Sequence, residues 1–215
     1  MNCDHIVNML TDHFQESFPQ YSVLTGEFSR TVNLPSTFDL GFELVFAVGS
    51  APTAAEYDLY QWSSDRLMAL LPLSHPLSQA QSISLKDLAA DKFILFPESS
   101  FLHCYIAQLC ERAGFTPKVD FTIHGTRNVA ELVSAGLGVS LAPSTDIMTV
   151  KRHQVAMVEL DPPPLVYLNL YYKKDKPLSD PAKAFLDFAI NIHDNHANDI
   201  PYMGPETEIG NVYFK

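Results

Sequence analysis

Two rhythms of hydrophobic positions run along this chain, one with the spacing of a helix face and one with the alternation of a strand. Ile6, Val7, Met9, Leu10, Phe14 and Phe18 keep to one side of a helix that Pro19 closes. Residues 22–25 read as a short strand and residues 27–34 as a turn with a short helix. Residues 38–48 are strongly apolar. The Asp39-Leu40-Gly41-Phe42 at their start predicts a strand entered from a tight turn, its backbone approached closely by a ligand or by a neighbouring helix.

From Asp65 onward the two rhythms alternate. Residues 66–72 predict a strand, residues 74–78 a turn, and Ser84 the cap of a short helix carrying Leu85, Leu88 and Ala89. A strand over 92–96 ends at Pro97. Ser99 and Ser100 then stand at the mouth of a helix with Ile106, Leu109 and Cys110 inside and Gly114 at its close. Orphan amides in that helix's first turn make a natural seat for an anion. Another strand falls within 115–123. In residues 126–143, Val129, Leu132 and Val133 keep helical spacing, Thr126 can cap the first turn, and Gly136 and Gly138 turn the chain into a buried strand over 139–142. Strand, helix, strand, helix, strand predicts a doubly wound unit with its ligand crevice at the carboxyl ends of the strands. Beyond the stiff Pro162-Pro163-Pro164, residues 166–172 alternate as a strand that returns to the first part of the fold. Ser179-Asp180-Pro181 opens a helix over 182–192 with Phe185, Leu186, Phe188 and Ala189 facing a core.

With 215 residues, 47% of them apolar, the chain can bury the core of one large or two small domains. A net charge of −11 with only 14 basic residues argues against a nucleic-acid surface, which needs clustered Lys and Arg. No apolar run approaches the roughly 18 residues of a membrane span, and Asp4, Asp12 and Glu16 are foreign to a signal peptide, so a cytoplasmic protein is expected. Cys3, Cys104 and Cys110 lack metal spacing and predict reduced thiols in a core or helix.

Catalytic signals are thin. His193 and His196 are three apart where a helix ends, without a third ligand nearby, so neither a metal nor another cofactor is expected. His103 beside Cys104, or His124, lacks an accompanying oxyanion motif, and Ser140 in Gly138-Val139-Ser140-Leu141 lacks the second glycine of a nucleophile elbow. The expectation is a binding protein, not an enzyme.

Taken in order, Asp39-Leu40-Gly41-Phe42, Asp65-Arg66-Leu67, His75-Pro76-Leu77, Leu85-Lys86-Asp87-Leu88 and Leu132-Val133-Ser134-Ala135-Gly136-Leu137-Gly138-Val139-Ser140-Leu141-Ala142-Pro143 resemble the effector-binding (substrate-binding) domain of LysR-type transcriptional regulators. The likeness covers most of residues 5–193, and the ordered series carries it, since no single motif would. It implies an α/β, type II periplasmic-binding-protein-like fold: two Rossmann-like subdomains joined by two crossover strands, with a small-molecule effector in the interlobe cleft. Residues 1–72 with 165–193 would form subdomain I, 73–164 subdomain II, and 194–206 a linker or tail. The resemblance further implies a side-by-side homodimer and a signal sent by lobe closure and dimer rearrangement.

Two departures qualify the likeness. The family's domain normally follows a winged helix-turn-helix that reads DNA, and none is legible here. The resemblance therefore implies an isolated sensor half, or a relative without its reader, that does not itself bind DNA. The family's first strand, expected before the helix near residue 5, is also missing, while residues 207–215 are similar to it. Residues 207–214 are either a permuted first strand, with Lys215 close to Met1, or a tail.

By their match to the family pattern, Ser99, Ser100 and Phe101 fall on the pocket-facing loop of subdomain II, and Thr126 opens the next helix with a hydroxyl. For the serines and Thr126 helix capping is the alternative role, and for Phe101 plain core packing. Ser29, Arg30 and Thr31 fall on the polar effector loop of subdomain I, in a segment several residues shorter than usual. Arg30 would be a carboxylate clamp or a solvated surface side chain. Glu43 would favour a cationic effector or simply face solvent, and under the permuted reading Tyr213, Phe214 and Lys215 line the cleft. A stand-alone solute-binding protein and a small-acid dehydratase on the same fold are the alternative functions.

Overall fold

The computed structural model describes residues 3–23, 34–49, 56–147, 154–196 and 213–214. In chain order its elements are α1 (Cys3–Ser17), α2 (Leu34–Asp39), β1 (Leu44–Gly49), β2 (Tyr57–Pro72), β3 (Ser82–Ile83), a 3₁₀ turn (Leu85–Leu88) and β4 (Lys92–Leu95). There follow α3 (Phe101–Arg112), β5 (Lys118–Thr122), α4 (Thr126–Ser134), β6 (Ser140–Pro143), α5 (Ser144–Ile147), β7 (Val155–Leu160), β8 (Leu165–Lys173), α6 (Asp180–His196) and β9 (Tyr213–Phe214). Contacts divide the chain into two compact units. Subdomain I takes the chain up to Ser64 and resumes at Tyr167, and subdomain II is Asp65–Val166. The chain passes between them inside two strands, β2 and β8.

In subdomain I, β1 runs antiparallel to β8, from Val45 opposite Tyr171 to Gly49 opposite Tyr167. On its other edge it meets β9, again antiparallel, with Leu44 opposite Phe214. Alternation along β1 splits the core into two faces. Phe46 meets Trp62 of β2 edge-on at 5.6 Å, and Trp62 lies 4.8 Å from His193 of α6. That helix packs on α1 through Phe14, whose ring meets Phe185 at 5.0 Å and Phe188 at 5.5 Å. On the opposite face, Val45, Ala47 and Tyr171 are covered by Phe38 of α2, on which Tyr57 stacks at 5.1 Å.

The strand expected after the Asp39-Leu40-Gly41-Phe42 turn is β1, and Phe38 before the turn belongs to α2, whose end is closed by bonds from Leu40 N to Thr37 O and Gly41 N to Phe38 O, with Gly41 at φ 92°. The apolar run is therefore shared between a helix that covers the sheet and a strand within it. Ser22 and Val23 are not in a strand, and the remaining residues of that expected strand and of the turn after it lie outside the described residues.

Subdomain II contains the predicted succession of strands and helices, with a mixed sheet. β4 and β5 are parallel, Phe93 bridges Val139 in the same sense, β6 pairs antiparallel with β2, β2 antiparallel with β7, and β7 parallel with β3. Among the described strands of this subdomain, β2 alone runs against its neighbours, because it brings the chain in from subdomain I. It is also longer than predicted, since Asp58, Gln61, Ser63 and Ser64 alternate with Leu59, Tyr60 and Trp62 and thin the hydrophobic signal of its first half. β7 was not anticipated.

Gly138 explains how β6 reaches β4. A Cβ there would stand 2.6 Å from the carbonyl oxygen of Lys92, so only glycine admits the bonds from Val139 N to Lys92 O and Ile94 N to Val139 O. The fully buried Ser140 secures the same seam, its hydroxyl donating to Ile94 O at 2.6 Å. His75 secures the turn after β2. Its Nδ1 accepts from Leu77 N at 3.1 Å, which places the ring hydrogen on Nε2, 3.3 Å from Asp91 Oδ1. Within the 3₁₀ turn, Ser84 and Asp87 form a reciprocal capping box. Among the described residues no helix is long and apolar enough to cross a membrane.

Candidate functional site

The carboxyl ends of β4, β5 and β6 lie at one edge of subdomain II, because β4 and β5 are parallel and β6 leaves its bridge to β4 in the same direction. Each strand feeds a helix: β4 through residues 96–100 into α3, β5 through residues 123–125 into α4, and β6 directly into α5. Three helix starts and their hydroxyl side chains therefore converge where an open α/β sheet binds its ligands.

Ser100 is the N-cap of α3, its hydroxyl accepting from His103 N at 3.1 Å. Ser99 beside it is exposed. Phe101 is half-buried and stacks on Tyr105 at 5.2 Å, and the Tyr105 hydroxyl donates to Leu165 O at 2.8 Å, binding this helix to the start of β8. His103 and Cys104 are engaged separately. The imidazole Nδ1 donates to Phe96 O at 2.8 Å, while the thiol faces Glu98 O at 3.7 Å. Further along the helix, burial pushes the Cys110 thiol up to about 12, which keeps it protonated and unreactive.

Thr126 does not cap α4. The N-cap is Gly125, at φ 81° and without a side chain to offer, and Thr126 is the first helical residue. Its hydroxyl points to Asp146 Oδ2 at 3.4 Å, so it links the starts of α4 and α5. Asn128 donates to His124 O at 2.9 Å across the same turn.

Asp65 is the residue that sequence reasoning missed as an organiser. It is 7% exposed. Its Oδ1 accepts from Ser144 Oγ at 2.6 Å and Arg66 N at 2.7 Å, and its Oδ2 from Thr145 N at 2.9 Å and Thr145 Oγ1 at 2.6 Å. Burial pushes the carboxyl up, but the four hydrogen bonds together outweigh it and hold Asp65 below the usual carboxylate range. The available signal was Ser144-Thr145 directly after a buried strand, a helix-start pattern that asks for an acceptor.

Of the residues expected from subdomain I, Ser29, Arg30, Thr31 and Lys215 lie outside the described residues, and Tyr213 and Phe214 form the short strand β9. A strand leading into α1 and crossing over to β1 would run parallel to β1, whereas β9 runs antiparallel. Glu43 is placed in a structural role. Both its oxygens accept from Ser179, from the amide at 2.9 Å and the hydroxyl at 2.7 Å, and Ser179 starts α6. The carboxylate thus anchors a helix N-terminus instead of awaiting a cation.

The family model of the LysR substrate binding domain matches residues 4–192. The transcriptional dual regulator GltC of Bacillus subtilis (strain 168) is 34% identical over 179 residues, 82% of this chain and 59% of that protein. The chain spans about half the length of the curated relatives it matches. Among solved structures, the CcmR regulatory domain of Synechocystis PCC6803 in complex with 2-PG superposes with a TM-score of 0.72 at 16% identity, covering 92% of this chain and 93% of that one. The effector binding domain of QuiR in complex with shikimate gives 0.64 at 22% identity, covering 90% and 93%. These likenesses show the fold to be the type II periplasmic-binding-protein-like α/β fold of such domains.

Proposed function

Because the chain belongs to the LysR substrate-binding domain family, we propose that it is the effector-sensing part of a LysR-type transcriptional regulator and that it binds a small polar metabolite at the carboxyl edge of subdomain II. The observation that carries this reading is the convergence of the starts of α3 and α4 at that edge, with Ser99 exposed and α4 capped by no side chain. Helix-start amides and hydroxyl side chains in that arrangement suit carboxylate, phosphate or hydroxyl groups. Phe101 offers an apolar surface beside them. Two neighbours of the same fold hold small molecules, 2-PG and shikimate, which supports the same class of ligand here. The effector acts by population shift, favouring whichever arrangement of the regulator it contacts more fully.

Thermal-shift screening of the chain against 2-PG, shikimate, other aromatic and aliphatic acids, amino acids and polyamines tests this. A ligand at about a hundred times its Kd stabilises the fold by about 2.7 kcal/mol. Ser99→Ala and Thr126→Val should abolish that response while leaving the apo melting temperature near wild type. Silence across the whole panel, or responses unaltered in both variants, would refute the site.

The sensor also works as a homodimer. Among the described residues β5 pairs only with β4, all five of its residues are exposed, and Val119 and Phe121 stand 39% and 42% exposed. An apolar edge strand of this kind calls for a partner. Light scattering should report a dimer for the wild type and a monomer for Val119→Lys/Phe121→Lys.

A further inference from the structure

Away from the effector edge, subdomain I holds a cluster of proton-bearing groups that neither the fold nor the proposed binding requires. Tyr60 of β2 sets its hydroxyl 2.7 Å from His193 Nδ1 and 2.7 Å from Asp194 Oδ1, and those two atoms are 3.4 Å apart. The imidazole stands edge-on to Tyr60 at 5.5 Å and lies 4.8 Å from Trp62. We propose that Tyr60, His193 and Asp194 form a proton-operated latch, which fixes the last turn of α6 to β2 when His193 is protonated and loosens it when His193 is neutral.

The latch follows from a count of hydrogens. Burial, then the bond to Asp194 and its charge, push the Tyr60 phenol up to about 12, so it carries one hydrogen throughout the neutral range. The bond from Tyr60, with that to His193, holds Asp194 below the usual carboxylate range, so it stays an acceptor. If Nδ1 is bare, the single Tyr60 hydrogen must serve two acceptors and one short contact is left without a proton. If Nδ1 carries hydrogen, it donates to the Tyr60 oxygen, Tyr60 donates to Asp194, and both contacts are satisfied. A neutral ring divides between two tautomers, only one of which completes the chain. An imidazolium always completes it, and also meets a carboxylate, the indole of Trp62 and the negative end of α6.

The described titratable and charged groups around His193 come from two elements. β2 contributes Tyr60 and, two residues earlier on the same face, Asp58, which is 3.8 Å from Lys174. α6 contributes Asp194, next to His193 in its last turn. Tyr60 and Asp194 meet the ring directly. β2 is one of the two strands that lead from one subdomain to the other, so the latch acts on a connecting element whether or not an effector is present.

Trp62 is the single tryptophan of the chain, so its emission reads this cluster alone. The chain is titrated from about pH 8 to about pH 5. Amide exchange is followed at both ends of the range, corrected for intrinsic rates. Trp62 emission should fall in one step as the imidazolium forms, and amides in the last turn of α6 and in β2 near Tyr60 should exchange severalfold more slowly at the acid end. His193→Gln should lose both effects. Tyr60→Phe should keep the emission step, since the ring still faces Trp62, and lose the exchange difference. Asp194→Asn, at an exposed position, should also lose it and serves if Tyr60→Phe fails to fold. A flat wild-type emission, no wild-type exchange difference, or an exchange difference that survives in both Tyr60→Phe and Asp194→Asn would overturn the latch.

Discussion

Oδ2 of Asp65 accepts from both the amide and the hydroxyl of Thr145, eighty residues further along the chain. With Ser144 Oγ and Arg66 N on Oδ1, one carboxylate ties the entry of β2 into subdomain II to the end of β6 and the start of α5. Asp65→Asn keeps the shape but loses acceptor capacity and charge, and should cost about 2–4 kcal/mol. At roughly 2–4 °C per kcal/mol for a chain of this size, the melting temperature should drop by about 5–15 °C. Because the folded carboxyl titrates below its ordinary value, its contribution is complete above that value and is lost as pH falls through the lower folded one. The gap between wild type and variant, measured by urea titration, should therefore narrow from about pH 5 downward.

Gly136 and Gly138 should fail differently when substituted. Gly136 sits at φ 77° with nothing among the described residues within 4 Å of an added Cβ, so Gly136→Ala should cost only the left-handed conformation, about 1–2 kcal/mol. At Gly138 a Cβ would lie 2.6 Å from the Lys92 carbonyl oxygen, and Gly138→Ala should cost more, about 3 kcal/mol, by parting β6 from β4. Equal losses in a denaturant series would contradict this account.

For Glu43 and Ser179 the test is a double-mutant cycle. Glu43→Gln and Ser179→Ala should each cost about 1 kcal/mol, and the double variant clearly less than their sum, because both changes remove the same anchor of α6. Strict additivity would show that the two side chains act independently.

Asn169 is fully buried, and among the described residues its Oδ1 has no hydrogen-bond partner while its Nδ2 donates to Tyr171 Oη at 2.8 Å. Burial pushes the Tyr171 phenol up, so it stays neutral. Replacing both polar groups by apolar ones of similar shape, as in Asn169→Leu with Tyr171→Phe, should leave stability unchanged or raise it by about 1 kcal/mol. A drop of several kcal/mol in thermal unfolding would mean that the orphan oxygen is satisfied in solution.

Alternation and turn chemistry made much of the fold legible. The helices α1, α3, α4 and α6, the strands β4, β6 and β8, and the Ser84 cap follow from local spacing, because each is stabilised by neighbours near in sequence. The motifs that carried the family resemblance, Asp65, His75, Gly136 and Gly138 among them, turn out to hold strands and turns together. Of the proposed site only the strand edge was legible. Ser99, Ser100 and Thr126 stand where α3 and α4 begin, yet Ser100 is a cap and Thr126 is not.

What the sequence determined by itself was which segments are helix or strand and which faces are apolar, since those depend on the period of side chains along a single element. Only the tertiary structure decided that β2 runs through both subdomains, that Phe38 lies in a helix, that Glu43 is bound by Ser179, and that Tyr60 meets His193. Each is a pairing across dozens of residues. A polar side chain's role is set by whichever donor or acceptor the fold brings to it, and no periodicity along the chain encodes that partner.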